Sequence, residues 1–166
     1  KAGSDHRKFL RMIHVVIDVL APMYWWKHLD QYKVATTTNS TSTMHKIHAK
    51  EFTLDDFSHE NLMDSSLCLL EEIIERLNFW RINFIVQTNP ETKNEKHLSA
   101  KECWWQMIQL LPSSYNQLRT IDLNYEVLIN IYCARKNHEL DEWHTFCEWI
   151  EKLPYMKDFL GLEEEK

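Results

Sequence analysis

The sequence predicts an α+β fold dominated by α-helices, and three observations carry that reading. Only two glycines and four prolines occur in 166 residues, too few breakers for a sandwich of many short strands and turns. Leu62, Leu69, Leu70, Ile73, Ile74 and Leu77 recur at three- and four-residue steps, the period of a helix. Met12–Val19, in contrast, is rich in β-branched residues without a helical period, which reads as a strand.

Taken in order, the chain opens on a short polar stretch, and the absence of a Met before Lys1 suggests a missing N-terminal segment. The strand Met12–Val19 follows and should end at Ala21-Pro22, with Pro22 suited to the first turn of a short helix over "MYWWKHLDQY". Ala35–Thr43, "ATTTNSTST", is a poor helix former whose hydroxyls and amide compete with the backbone, so it reads as a loop. The longest helix lies within Thr53–Gln87, with Thr53 or Ser58 as the candidate cap. A polar surface loop, "TNPETKNEKHLSAKE", separates it from "CWWQMIQLL". Helices are then expected over Asn124–Lys136 and Leu140–Lys152, and the tail "GLEEEK" should fray.

Composition narrows the function classes. Hydrophobic residues make up 44% of the chain, enough for one domain, 1–166, with a real core. A net charge of −6 argues against a nucleic-acid binder, while leaving room for a local basic pocket. No apolar run reaches membrane length, so the expectation is a soluble, cytoplasmic protein without a membrane partner. Cys68, Cys103, Cys133 and Cys147 form no C-x-x-C pair and read as reduced, buried, structural thiols. His45-x-x-His48 lacks a third ligand, so no metal is expected. "YWWKH" and "CWWQM" resemble platforms for a flat ligand, but such pairs are more often core and interface.

The stretch Leu111–Lys136, "LPSSYNQLRTIDLNYEVLINIYCARK", raises a sharper question. Asn124, Asn130 and Arg135 punctuate an otherwise apolar helix. At about 100° per residue, Arg135 lies about 20° from Asn124 around the axis, while Asn130 lies about 120° away on another face. Asn124 alone is a natural N-cap, and Arg135 could pair with Glu139 on a solvated face. The combination of Leu111-Pro112, Asn124, Leu128, Asn130 and Arg135 nevertheless resembles the signature of the flavin-dependent thymidylate synthases. A second block is similar to the same family: Lys1, Gly3, Phe9 and Ala21-Pro22 fall in corresponding places. Gln31-Tyr32-Lys33 and Asn39-Ser40-Thr41-Ser42 stand where the family has Arg-His-Arg and Asn-Glu-x-Ser. The family's signature Glu is Ser40 here, its final signature Arg is Met44, and an Arg expected before the Leu-Pro is Ile108.

The resemblance implies helices packed around a small antiparallel sheet and a homo-oligomer, a tetramer, with sites between subunits. It implies methylation of dUMP to dTMP, with methylenetetrahydrofolate and NADPH as co-substrates and FAD as cofactor. Carried over residue by residue, it places Arg135, Lys27, Gln31 and Ser42 at the nucleotide and Asn124, Asn130, Lys33 and Asn39 at the flavin, with no protein nucleophile. The lost arginines would remove bidentate phosphate contacts that lysine does not replace. Two alternatives follow: a catalytically degenerate relative, such as a viral one, that binds or sequesters a nucleotide, or a helical interaction protein. For Arg135 the expectation is a half-buried side chain, paired with Glu126 or Asp141 when no ligand is present, in a pocket shared with Lys33 or the Asn39–Ser42 segment.

Overall fold

The computed structural model describes residues 6–40, 42–94 and 97–162. Lys1, Gly3, Thr41 and the tail Glu163–Lys166 lie outside the described residues. Helices dominate, and three strands form one small antiparallel sheet in the order β1-β3-β2. The strands are β1 (His14–Pro22), β2 (Thr36–Ser40) and β3 (Asn116–Asn124). The helices are α1 (Met23–Leu29), α2 (Thr43–Lys46), α3 (Asp64–Thr88), α4 (Ala100–Leu110), α5 (Tyr125–Arg135), α6 (Asp141–Glu151) and α7 (Met156–Leu160).

Three sequence expectations are corrected. The strand expected over Met12–Val19 starts only at His14, after a 3-10 turn over Lys8–Met12, and runs on to Pro22, which closes β1 at the sheet edge instead of opening α1. A missing N–H is harmless at an edge. The segment Ala35–Thr43 is not simply a loop, because Thr36–Ser40 pairs with β3. Threonine is poor in helices yet good in strands, so the same residues that break a helix here build a strand. Neither Thr53 nor Ser58 caps α3, whose N-cap is Met63 without a side-chain bond. Thr53 instead opens a 3-10 turn, Leu54–Asp56, where the Asp56 carboxylate accepts from the Thr53 N–H at 2.9 Å.

The chain folds as two compact units, each assembled from separated segments. The first takes residues 6–19, 25–39 and 119–162. Its core is aromatic. Trp25 packs on Trp26 at 4.9 Å, on Trp143 at 4.8 Å and on Phe146 at 5.4 Å between ring centroids. Helix α6 supplies Trp143, Phe146, Cys147 and Ile150, one face at steps of three, four and seven. Helix α5 buries Leu128, Ile129, Ile131 and Tyr132. Arg119 lies over the Trp26 ring at 4.5 Å and donates to Asp30 at 2.9 Å.

The second unit takes residues 20–24 and 40–118. Leu70, Ile74 and Leu77 of α3 meet Met107 of α4, with Ile47, Phe52 and Phe57 completing the core. Asn78 fastens the neighbouring loop by accepting from the Phe52 N–H at 2.9 Å and donating to its carbonyl at 2.8 Å. Such two-way pairing satisfies a loop peptide that no secondary structure would otherwise serve. Helix α4 starts on a capping box in which Ser99 and Glu102 bond reciprocally.

Candidate functional site

In the first unit, the predicted residues on and around α5 meet very different fates. Asn124 is 3% exposed, and its side-chain oxygen accepts from the Val127 N–H at 3.0 Å. It is the N-cap of α5, and the cap engages its side-chain oxygen. Asn130, Lys27, Gln31, Lys33 and Asn39 are exposed. Ser42 belongs to the second unit, where it caps α2 and its hydroxyl meets His45 Nδ1 at 2.7 Å. Ser42 also lines a cavity of about 240 Å³ with Lys46, Lys50, Asp56, Tyr115 and Gln117. There the Lys50 ammonium is paired with Asp56, and burial, then the Asp56 charge, push the Tyr115 hydroxyl up from its ordinary range.

Arg135 is half-buried, as expected, but its partners are not the predicted ones. Its Nε donates to the Tyr32 hydroxyl at 2.9 Å. Its guanidinium carbon stands 5.1 Å from the Trp143 ring centre and 5.6 Å from that of Tyr32. Glu126 is held instead by Arg7 at 3.1 Å, and Asp141 faces His144 at 3.6 Å. Among the described residues no carboxylate lies within ion-pair distance of Arg135, Glu139 included, and its contacts involve neither Lys33 nor Asn39. A planar, weakly hydrated cation can be held between aromatic faces without a counter-ion, which a carboxylate-based expectation overlooks.

Three residues that the motif did not mark complete this neighbourhood. His28 of α1 and His138, just after α5, meet edge to face at 5.4 Å, and His138 lies 6.3 Å from Trp143. His138 Nδ1 accepts from the Leu140 N–H at 3.0 Å, which fixes the neutral tautomer with its proton on Nε2. Burial holds the His138 imidazolium pKa below the usual histidine range. Arg135, His28 and His144 push it the same way, and Glu139 opposes them. Only the recurrence of aromatic and histidine residues around α1 and α6 hinted at these partners.

The remaining motif residues are structural. His45 is engaged with Ser42, and His48 stacks on Phe84 at 4.4 Å. Trp25 and Trp26 are core, while Trp105 is 41% exposed. Two thiols depart from expectation: Cys103 and Cys147 are buried, but Cys68 and Cys133 are exposed. Among the described residues no helix is long and apolar enough to cross a membrane.

The flavin expectation can be tested against these positions. Asn124 is buried and spent on its cap, whereas Asn130, Lys33 and Asn39 are exposed. Within one chain, three of the four thus stand open to solvent and one is engaged in a cap.

No protein-family model matches the chain, and no curated protein matches it. Solved structures do. Thymidylate synthase X from Helicobacter pylori, with FAD and dUMP, superposes with a TM-score of 0.59 at 13% identity over 94% of this chain and 74% of that one. A second structure of the flavin-dependent thymidylate synthase from Helicobacter pylori, also with FAD and dUMP, gives 0.59 at 14% identity over 94% and 75%. A UMP/dUMP methylase from Streptomyces cacaoi, bound with 5-Br dUMP, gives 0.54 at 10% identity over 98% and 82%. At these identities the likeness establishes the fold.

Proposed function

We propose that the chain is a catalytically reduced protein of the thymidylate synthase X fold that binds a uridine monophosphate of the dUMP class. The single observation that carries this reading is Arg135. It is the cation retained in the best-matching motif, and it is held half-buried with no carboxylate partner among the described residues. The aromatic holders fix the guanidinium without neutralising it, and a nucleotide phosphate or acidic pyrimidine edge would supply the counter-ion. The structural neighbours add support: two carry FAD and one is described without it, but all three carry dUMP or its bromo analogue.

The finer reading, flavin-dependent methylation of dUMP to dTMP, asks for a flavin site, and of its candidate residues Asn124 is already committed to its helix cap. No step is therefore assigned to FAD, NADPH or methylenetetrahydrofolate. The expected outcome is a protein that purifies colourless. A stoichiometric flavin absorbance spectrum would reinstate methylation, with a homo-tetramer completing the site between subunits.

Calorimetric titration of dUMP into wild-type and Arg135→Ala protein tests the binding itself. Loss of a charge-assisted contact worth about 1.5–3 kcal/mol should weaken affinity about ten- to a hundred-fold. Equal affinities for the two proteins would remove the basis of the proposal.

A further inference from the structure

We propose that Arg135, His28 and His138 together form a proton-coupled seat for a phosphomonoester dianion. This deepens the nucleotide reading and rests on it for the identity of the ligand, but not for the existence of the seat.

The starting observation is an imbalance of charge. The chain carries 25 acidic against 19 basic residues, so carboxylates are plentiful. In the first unit the other two half-buried arginines are each neutralised: Arg7 by Glu126 at 3.1 Å and Arg119 by Asp30 at 2.9 Å. Arg135 is the exception. Its Nε is tied to Tyr32 and its plane is flanked by two rings, which fixes the group while leaving both terminal amino groups without a carboxylate among the described residues. A fixed guanidinium edge with unclaimed donors suits bidentate binding of a phosphate.

The two imidazoles belong to the same ring cluster: Arg135 and His138 both lie against Trp143, at 5.1 and 6.3 Å. The charge on Arg135 reaches His138, and His28 touches His138 ring to ring. Since His138 Nδ1 is occupied by the Leu140 N–H, Nε2 is the atom free to donate to a ligand. Among the described residues His28 makes no ion pair. The groups facing His138 are Arg135, His28, His144 and Glu139. Three of these oppose its protonation and one favours it. His138 also lines a groove with Lys136, His144, Glu139, Asp141, Glu148 and Glu151, where four carboxylates outnumber one lysine, so an anion is better served beside Arg135.

The proton bookkeeping gives the seat its signature. A phosphomonoester has its second pKa near 6, so it is largely dianionic at neutral pH. Binding two negative charges beside His138 opposes the field that holds its proton affinity down, and so raises that affinity. The complex therefore takes up protons from solvent at neutral pH, and affinity rises as pH falls from 8 toward 6.5. A rigid packing cluster would show neither effect.

The experiment is calorimetric titration of dUMP, deoxyuridine and inorganic phosphate into full-length wild-type, His28→Gln and His138→Gln proteins. It is run at pH 6.5 and 8.0 in buffers of differing ionisation enthalpy, with circular dichroism as the folding control. Expected are proton uptake for dUMP and phosphate but not deoxyuridine, and affinity for dUMP about tenfold weaker in either folded variant at pH 6.5. If dUMP binds without proton uptake and equally well in the variants, the seat is refuted and the nucleotide reading stands. If phosphate binds with histidine-dependent proton uptake but dUMP does not bind, the seat stands and the nucleotide reading falls. If neither phosphate nor dUMP binds, or both variants unfold while wild-type protein takes up no protons, the seat is refuted as a packing cluster.

Discussion

The Tyr132 hydroxyl donates to Glu151 Oε1 at 2.6 Å, pinning α5 to the end of α6. Burial, then this carboxylate, push the Tyr132 hydroxyl up to about 12 from an ordinary value of 10. The folded-state pKa is raised, so the contribution to stability is complete below about pH 10 and is lost as pH climbs through about 12, a total of roughly 2–3 kcal/mol. Tyr132→Phe should cost about 1.5–3 kcal/mol at pH 7 in chemical denaturation, because the acceptor is charged. It should also delete the highest tyrosinate step in absorbance titration at 295 nm. Survival of that step in the variant would show that the pin is absent.

Asn124 tests whether capping accounts for the motif's first asparagine. Asn124→Ala should lose about 1 kcal/mol, and Asn124→Ser, which keeps an acceptor oxygen, should recover most of it. Affinity for dUMP should be the same in both variants once folded. A large affinity loss in a stable Asn124→Ser protein would return Asn124 to the ligand site.

The four thiols should split into two classes. Cys68 and Cys133 are exposed, whereas burial pushes Cys147 up to about 11 and raises Cys103 as well. An aromatic disulfide reagent at pH 8 should label two thiols rapidly and two only on unfolding, with peptide mapping placing the fast pair at Cys68 and Cys133. Fast labelling of Cys147 would contradict its position in the core.

Ala35 enters β2 from the left-handed region, at φ 56, which a side chain adopts at a cost of about 1–2 kcal/mol. Ala35→Gly should therefore raise the unfolding free energy by about 0.5–1 kcal/mol, after the added freedom of glycine in the unfolded chain is subtracted. A melting temperature below that of wild type would show that the strain is not present.

Much of the helical framework was legible because its signals are local. The leucine and isoleucine spacing marked α3, the helical pattern over Leu140–Lys152 marked α6, and Asn124 marked the start of α5. The least legible element was β3. Its inward side carries Gln117 and Arg119 ahead of Ile121 and Leu123, so half of that face looks polar in sequence. Arg119 sits there because it lies flat on Trp26 and reaches Asp30, partners 93 and 89 positions away by number, which no short window contains. The candidate site divided in the same way. Arg135 was marked by its motif, but its holders Tyr32 and Trp143 and its neighbours His28 and His138 are brought to it only by the packing of α1, α5 and α6.

The order β1-β3-β2 has a consequence for how the molecule comes into being. The middle strand is the last to leave the ribosome, so β1 and β2 are each synthesised without a hydrogen-bonding neighbour and wait for residues 116–124. The Thr36–Ser40 segment spends that interval as an orphan edge, open to pairing with other chains. Its hydroxyl-rich, apolar-poor sequence makes it a weak template for such pairing. A residue choice that looked like an indifferent loop is thus well suited to a strand that must stay unpaired until its partner arrives.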